Sequence, residues 1–145
     1  ARKRIPEIFA EDGEERFREF ERQVVEEVQR YRKTIIATGG GLVVNPNNLA
    51  SLKTHSLVVC LWASPEGIYA RVRHQGHRPL LQTADPLARI RTLLAERERS
   101  YREADVLVNT EMRSIREVAL HVAHHFRLEQ RHSSSGENHP PTTSA

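Results

Sequence analysis

Arginines and a run of three glycines are the residues of this sequence best suited to chemistry. Lysine and arginine together number 22, and only Lys3, Lys33 and Lys53 are lysines. A guanidinium binds carboxylates and phosphates through paired, planar hydrogen bonds, so an arginine-rich chain suits small anionic ligands. The formal net charge of +3 is weak support for nucleic-acid binding. At any single position, a solvated surface arginine remains the simpler interpretation.

Arg18 and Glu21 lie three residues apart on a predicted helix. An apolar stripe at helical spacing predicts this helix over about residues 13–31, and its members are Phe17, Phe20, Val24, Val28 and Tyr31. Glu21 falls inside the stripe, about 40° from its centre at about 100° per residue. A carboxylate there needs a partner, which Arg18 can supply. The pair is either a structural ion pair or an arginine held ready for an anionic ligand.

The glycines Gly39, Gly40 and Gly41 follow a β-branched run, Thr34–Thr38, that predicts a strand. In a parallel sheet, ligands bind beyond the carboxyl ends of the strands. Glycines at such an end allow either a tight turn or the close approach of a ligand to the backbone. Both interpretations remain open for this segment.

Two further arginines occupy unusual positions. Arg78 lies in an aperiodic stretch from His74 to Ala84, which is long enough to be a flap that closes over phosphate; a solvated loop arginine is the alternative. Arg97 shares a helical row with apolar residues and Tyr101. A charge on a packed row favours a ligand or ion-pair role over plain exposure.

The elements that must position these residues alternate between strand and helix. Leu57–Trp62 reads as a strand covered on both faces, and Val106–Val108 as a shorter one. Helices are predicted over Pro46–Lys53, from Ser64 and Pro65 to about His74, and from Asp85 and Pro86 past Tyr101. A last helix is predicted after the capping box of Ser114 and Glu117. Its expected buried residues are Ile115, Val118, Val122 and Phe126. The pattern predicts an α/β domain with a parallel sheet.

Composition excludes several other classes of protein. Cys60 is the one cysteine, which rules out a disulfide scaffold and favours a reducing, cytoplasmic compartment. No apolar run approaches the roughly 20 residues of a membrane span. His121, His124 and His125 have metal-like spacing but no accompanying ligand set, and no metal residue is assigned. Residues 1–129 are expected to form one domain, and the polar residues 130–145 a disordered tail or linker.

Six motifs, taken in order, resemble the successive signatures of shikimate kinases from about Ile5 to Phe126. They are residues 5–9 (IPEIF), Gly13-Glu14, Phe17-Arg18-x-x-Glu21, Gly39-Gly40-Gly41, Arg78-Pro79-Leu80-Leu81 and Arg97-x-x-x-Tyr101. Each motif is weak alone, but their order and spacing together are specific. The resemblance implies a three-layer P-loop kinase fold, similar to nucleoside monophosphate kinases, and the transfer of a phosphoryl group from ATP to shikimate in the chorismate pathway.

The resemblance also implies residue roles. Arg18 and Arg97 match the arginines that grip the shikimate carboxylate, and Glu21 matches the residue that braces the first of them. Gly40 and Gly41 match the backbone that borders shikimate. Arg78 matches the lid arginine that reaches the transferring phosphate, and is expected to be catalytic. Arg71 matches an arginine over the adenine, and Arg113 falls in the adenine loop after a one-residue shift.

The expected cofactors are ATP and Mg²⁺, with shikimate as the partner, no nucleic acid or membrane, and a monomer for an intact domain. Members of the family open with a strand, a phosphate-binding loop, a helix and a second strand with an Asp-x-Asp pair, and these are missing here. The pattern G-x-x-x-x-G-K-[ST] occurs nowhere in the sequence. The chain alone is therefore expected to be inactive. The alternatives are a degenerate relative that binds a small anion or a protein, and a fragment of a longer multidomain polypeptide.

Overall fold

A computed structural model describes residues 3–73 and 83–135, which divide into two compact units. The first unit comprises residues 3–56 and Arg99–Glu103; the second comprises residues 57–73, 83–98 and 104–135. The elements are α1 (Ile5–Glu11), α2 (Gly13–Val28), a 3-10 turn (Leu42–Val44), α3 (Pro46–Lys53), β1 (Val59–Trp62), α4 (Pro65–Val72), α5 (Pro86–Arg102), β2 (Val106–Asn109) and α6 (Ile115–Ser135).

Side-chain caps begin several of these helices, and those of Ser64 and Ser114 were predicted from the sequence. The Asn45 side chain accepts a hydrogen bond from the Asn47 amide at the start of α3, and Ser64 accepts one from the Gly67 amide at the start of α4. At α6, the Ser114 amide donates to Glu117 while the Glu117 amide donates to the Ser114 hydroxyl. These caps satisfy amides that have no partner inside the helix, which fixes where each helix starts.

The buried face of α2 differs by one position from the predicted stripe. Val25 and Val28 are buried, whereas Val24 is half exposed and Tyr31 lies beyond the helix end. Glu21 stands four residues before Val25, and its side chain is only 14% exposed. It therefore lies within the buried row itself. The helix α1 was not predicted, although Pro6 in its first turn is a start signal.

The sheet is parallel, as expected, with Val59 of β1 opposite Val106 of β2. Within the part of the chain that the structure describes it has two strands. The prediction of a strand over Thr34–Thr38 is wrong, because these residues form no ladder, and the Ile35 side chain is 99% exposed. A β-branched sequence becomes a strand only where a partner backbone completes its hydrogen bonds.

Two predictions of complete burial are also wrong. Leu61 on β1 is 57% exposed, so this strand is not covered on both faces, and Trp62 is exposed too. On α6, Ile115 is 91% exposed and Phe126 is exposed, against the expectation of a buried face. Periodicity shows which side chains share a face, but burial also requires an element that packs on that face.

Residues 130–135, which were expected to belong to the polar tail, are helical, because α6 continues to Ser135. The rest of the tail, residues 136–145, lies outside the described residues, as does the predicted flap except for residues 83 and 84. None of the described helices is both long enough and apolar enough to cross a membrane.

Candidate functional site

Arg18 in α2 is held by two carboxylates. Its Nη1 donates to Oε2 of Glu21 at 2.8 Å, and its Nη2 donates to Oε1 of Glu14 at 2.8 Å. These hydrogen bonds, that of Glu21 first, raise the pKa of the Arg18 guanidinium above its ordinary value. The predicted pair of Arg18 and Glu21 is therefore present. Since Glu21 is nearly buried and Glu14 is exposed, Glu21 is the firmer of the two partners.

Aromatic rings also pack against the same arginine. The Arg18 guanidinium carbon lies 5.5 Å from the centroid of the Phe17 ring, and Phe17 packs on Phe9 of α1 with 4.6 Å between the ring centroids. Cation–π attraction adds to the carboxylate contacts. The Arg18 side chain is nevertheless 37% exposed, so its remaining N–H groups can reach a ligand.

The three glycines lie beside this arginine. A methyl group built on Gly41 would come within 3.9 Å of Arg18 Nη1, so the glycine faces the guanidinium across a gap of about one methyl group. Gly39 has φ of +68°, a left-handed conformation that favours glycine. The Gly41 carbonyl accepts from the Val44 amide at 3.2 Å, and the buried Asn48 side chain donates to the Leu42 carbonyl at 3.2 Å. These two hydrogen bonds fix the glycine segment where it enters the 3-10 turn.

Tyr101 fixes the middle of the same segment. Its hydroxyl donates to the Gly40 carbonyl at 3.0 Å, and both residues belong to the first unit. The structure therefore brings together four of the predicted residues, namely Arg18, Glu21, Gly40 and Gly41. Arg97 belongs to the second unit, where its side chain is half buried and has no ion pair with any residue in 3–73 or 83–135.

The two arginines expected near adenine meet adjacent residues at the end of β2. Arg71 donates from Nη1 to the Thr110 hydroxyl at 2.8 Å and from Nη2 to the Thr110 carbonyl at 2.7 Å. Arg113 donates to the Asn109 carbonyl at 2.9 Å. Buried Thr110 in turn donates from both its amide and its hydroxyl to the Trp62 carbonyl, so that Arg71 is anchored to the sheet.

Sequence reasoning did not identify Glu111 or Ser64 as part of this region. A Glu111 oxygen accepts from the Ser64 amide at 3.1 Å and from the Ser64 hydroxyl. These bonds hold the pKa of the Glu111 carboxyl below its ordinary value, with a smaller contribution from the charge of Arg71. The residues are 47 apart in the sequence, so no local pattern could have indicated the contact.

Arg78, expected in the lid, lies outside the described residues. Within residues 3–73 and 83–135, no group of three or more His, Cys, Asp or Glu side chains could hold a metal ion.

A comparison with protein families matches residues 1–127 to the model described as shikimate kinase. A shikimate kinase of Deinococcus radiodurans is 45% identical over 116 residues, which is 80% of this chain and 59% of that relative. One of a Synechococcus species is 50% identical over 105 residues, or 72% of this chain and 55% of the relative. The chain thus spans less than two thirds of the length of these relatives.

The fold is similar to that of solved structures as well. The shikimate kinase of Acinetobacter baumannii in complex with shikimate superposes with a TM-score of 0.77 at 32% identity, over 86% of this chain and 70% of that one. This similarity confirms the predicted fold class, an α/β parallel-sheet kinase fold of the P-loop type.

Proposed function

The chain belongs to the shikimate kinase family, and on that premise we propose that it supplies the shikimate-binding and adenine-side residues for phosphoryl transfer. The proposed reaction converts ATP and shikimate to ADP and shikimate 3-phosphate, in the cytoplasm, as a step toward chorismate. The Acinetobacter baumannii relative holds shikimate, which supports this choice of substrate.

The arrangement around Arg18 is the observation that carries the proposal. A guanidinium is held by Glu21 beside the Gly40 and Gly41 backbone, while part of it remains exposed. A substrate carboxylate can then form charge-assisted hydrogen bonds with an arginine whose direction is already fixed. The adjacent glycines allow the carbocyclic ring to approach the backbone without meeting a side chain.

Two further arginines, Arg97 and Arg78, are assigned to the site because they match the motifs of the shikimate kinase family. Arg97 is the second carboxylate arginine, and its half-buried guanidinium without a described ion-pair partner is consistent with a role in ligand binding. Arg78 is the lid arginine that stabilises charge on the transferring phosphoryl group, where an arginine neutralises the phosphate oxygens.

Arg71 has a geometry suited to the adenine base. Both of its described hydrogen bonds go to Thr110 from the edge of the guanidinium plane, and the residue is exposed. The faces of a guanidinium held by its edge can stack on an aromatic ring. We assign Arg71 to the adenine face and Arg113 to the same loop, where its hydrogen bond to Asn109 holds it near Thr110.

No residue of this chain is assigned to Mg²⁺, and none besides Arg78 to the phosphates, because the described residues offer no metal-ligand cluster and the sequence has no G-x-x-x-x-G-K-[ST] motif. We therefore propose that these 145 residues alone do not turn over ATP. A fusion that places the opening phosphate-loop segment of the Deinococcus radiodurans kinase before Ala1 tests this in an ADP-release assay. We expect shikimate-dependent turnover from the fusion and none from the unfused chain. Equal turnover by the unfused chain would contradict the proposal.

If the fused protein binds shikimate but releases no ADP, the chain is a non-catalytic relative that retains an anion site. The control rejoins the same phosphate-loop segment to the rest of the Deinococcus radiodurans kinase. If that control is active and the fusion is not, the lack of turnover comes from the present chain. The fusion therefore separates an enzyme from a degenerate binding module.

Shikimate titration of the chain tests the carboxylate site directly. Arg18→Ala removes a charge-assisted contact worth about 1.5–3 kcal/mol, so affinity should fall by roughly tenfold to a hundredfold. Arg16→Ala is the matched control, because Arg16 lies on the same helix but pairs with Glu19 and stacks on Phe20 instead. Equal effects of the two substitutions would remove the support for the Arg18 assignment.

A further inference from the structure

Glu111 joins the loop after β2 to the start of α4. Its carboxylate accepts hydrogen bonds from both the amide and the hydroxyl of Ser64, and the same hydroxyl accepts from the Gly67 amide. The loop and the first turn of α4 therefore share one hydrogen-bond network. This connection uses the carboxylate as an acceptor only, which is its role when ionised.

The loop held in this way carries the partners of both adenine-side arginines. The Glu111 amide donates to the Asn109 side chain at 2.7 Å, the Asn109 carbonyl accepts from Arg113, and neighbouring Thr110 accepts from Arg71. Met112, next in the chain, has φ of +51°. A left-handed conformation is uncommon for a residue with a side chain, and it persists where its surroundings enforce it.

We propose that Glu111 is a positioning residue: by anchoring residues 109–113 to the first turn of α4, it sets the orientation of Arg71 through Thr110. What Arg71 then meets, the adenine base, rests on the proposed function. Glu111 itself touches no reacting atom. Its effect is to reduce the freedom of an exposed guanidinium before a ligand arrives, which lowers the ordering cost of binding.

Gly67 is part of the same hydrogen-bond network. A methyl group at this position would lie 2.8 Å from Glu111 Oε1, closer than real contacts of this kind, whereas its next neighbours are at 3.3 and 3.7 Å. Alanine favours helix over glycine, so Gly67→Ala would stabilise α4 if the carboxylate were elsewhere. The glycine therefore leaves room for Glu111 at the cost of helix propensity.

The test measures hydrogen exchange of the Arg71 guanidinium protons by NMR in the isotopically labelled chain. We expect Glu111→Ala and Gly67→Ala each to speed this exchange several-fold, and Glu111→Gln, which keeps an acceptor oxygen, to have a smaller effect. Glu66→Ala is the matched control, since Glu66 is a carboxylate on the same first turn that pairs with Arg91 instead. Unchanged Arg71 exchange in Glu111→Ala and Gly67→Ala overturns the proposal.

A double substitution guards against general loss of structure. Gly67→Ala is expected to lower thermal stability in the parent chain but to raise it, or leave it unchanged, in the Glu111→Ala background. This reversal follows from the removal of the closest contact, after which only the milder 3.3 Å approach to Ser64 remains, and it is not expected if Gly67 serves only the helix. The same loss of stability in both backgrounds would contradict the shared role of Gly67 and Glu111.

Adenosine titration of the same variants separates this proposal from the function on which it rests. Weaker adenosine binding in Glu111→Ala, with the shikimate response unchanged, supports both. If Arg71→Ala leaves adenosine binding intact, the assignment of Arg71 to adenine fails, and the positioning role is judged by guanidinium exchange alone. If Arg71→Ala weakens binding and Glu111→Ala does not, the positioning role is overturned.

Discussion

Arg18 and Arg71 are both held by hydrogen bonds, but the two arginines are held in different ways. Arg18 is bound by carboxylates three and four residues away on its own helix. Arg71 is bound by the hydroxyl and carbonyl of Thr110, which lies 39 residues further along the chain. The first arrangement is local and ionic, whereas the second is long-range and neutral.

The difference matters for the ligand that each arginine can bind. The carboxylates around Arg18 offset its charge but orient its N–H groups, which suits a substrate carboxylate that needs a fixed direction. Thr110 is neutral, so it does not offset the charge of Arg71. It binds only the edge of the guanidinium, which leaves the faces of the group able to stack on a base. The comparison therefore predicts that removing charge near Arg18 changes shikimate binding, and that loosening the loop near Arg71 changes nucleotide binding.

Of the two carboxylates that hold Arg18, Glu21 is expected to give the larger effect when it is replaced, as Glu21→Gln. The substitution keeps an acceptor oxygen but removes the charge that holds Arg18, a difference of about 1–1.5 kcal/mol between charged and neutral hydrogen bonds. Shikimate affinity should fall by roughly tenfold, measured by titration of the chain. Glu19→Gln on the same helix, which pairs with Arg16, serves as the control. If both variants bind shikimate like the parent, Glu21 does not brace the site.

A pH titration tests the Arg71 side. The pKa of Glu111 is lowered in the folded chain, first by its hydrogen bonds from Ser64 and then by the charge of Arg71, while desolvation and the charge of Glu66 oppose the shift. Because the folded pKa is depressed, the contribution of Glu111 to stability is complete above the ordinary value of about 4.3 and is lost as the pH falls through the lowered pKa.

The Ser64 amide resonance reports this titration residue by residue. Its midpoint should lie below about 4.3 in the parent chain, and the transition should be absent in Glu111→Gln. A midpoint at or above the ordinary value would show that the Ser64 hydrogen bonds do not favour the ionised carboxylate.

Glu14→Gln is expected to have the smallest effect, and in the opposite direction. Glu14 is exposed and occupies Nη2 of Arg18, so it competes with a substrate carboxylate for the same guanidinium. An exposed ion pair is worth about 0–1 kcal/mol, and shikimate affinity should therefore rise by up to about fivefold. A fall in affinity as large as that of Glu21→Gln would show that both carboxylates brace the arginine.

The sequence predicted most of what depends on neighbours along the chain. The caps of Ser64 and Ser114 could be predicted because each joins residues three apart, whereas the Asn45 cap was not predicted. The pairing of Arg18 with Glu21 was readable for the same reason, since three residues bring side chains together on a helix. The order of motifs also indicated the family correctly.

What depends on distant partners was not predicted. Thr34–Thr38 has strand-forming residues but no paired backbone in the described structure, and the exposure of Leu61 and Ile115 depends on which elements cover them. The contact of Glu111 with Ser64 spans 47 residues and has no periodic signal. Propensity and periodicity specify what a segment can do, and tertiary packing decides whether it does so.

We propose that this chain carries a shikimate site around Arg18 and an adenine site around Arg71. Residue-resolved NMR of the chain, titrated first with shikimate and then with adenosine, tests it most directly. We predict that shikimate shifts the signals of Gly40, Gly41 and Arg18, and that adenosine shifts those of Gly67, Thr110 and Arg71. Shikimate that shifts none of the first set, or two ligands that shift one common set, would contradict the account.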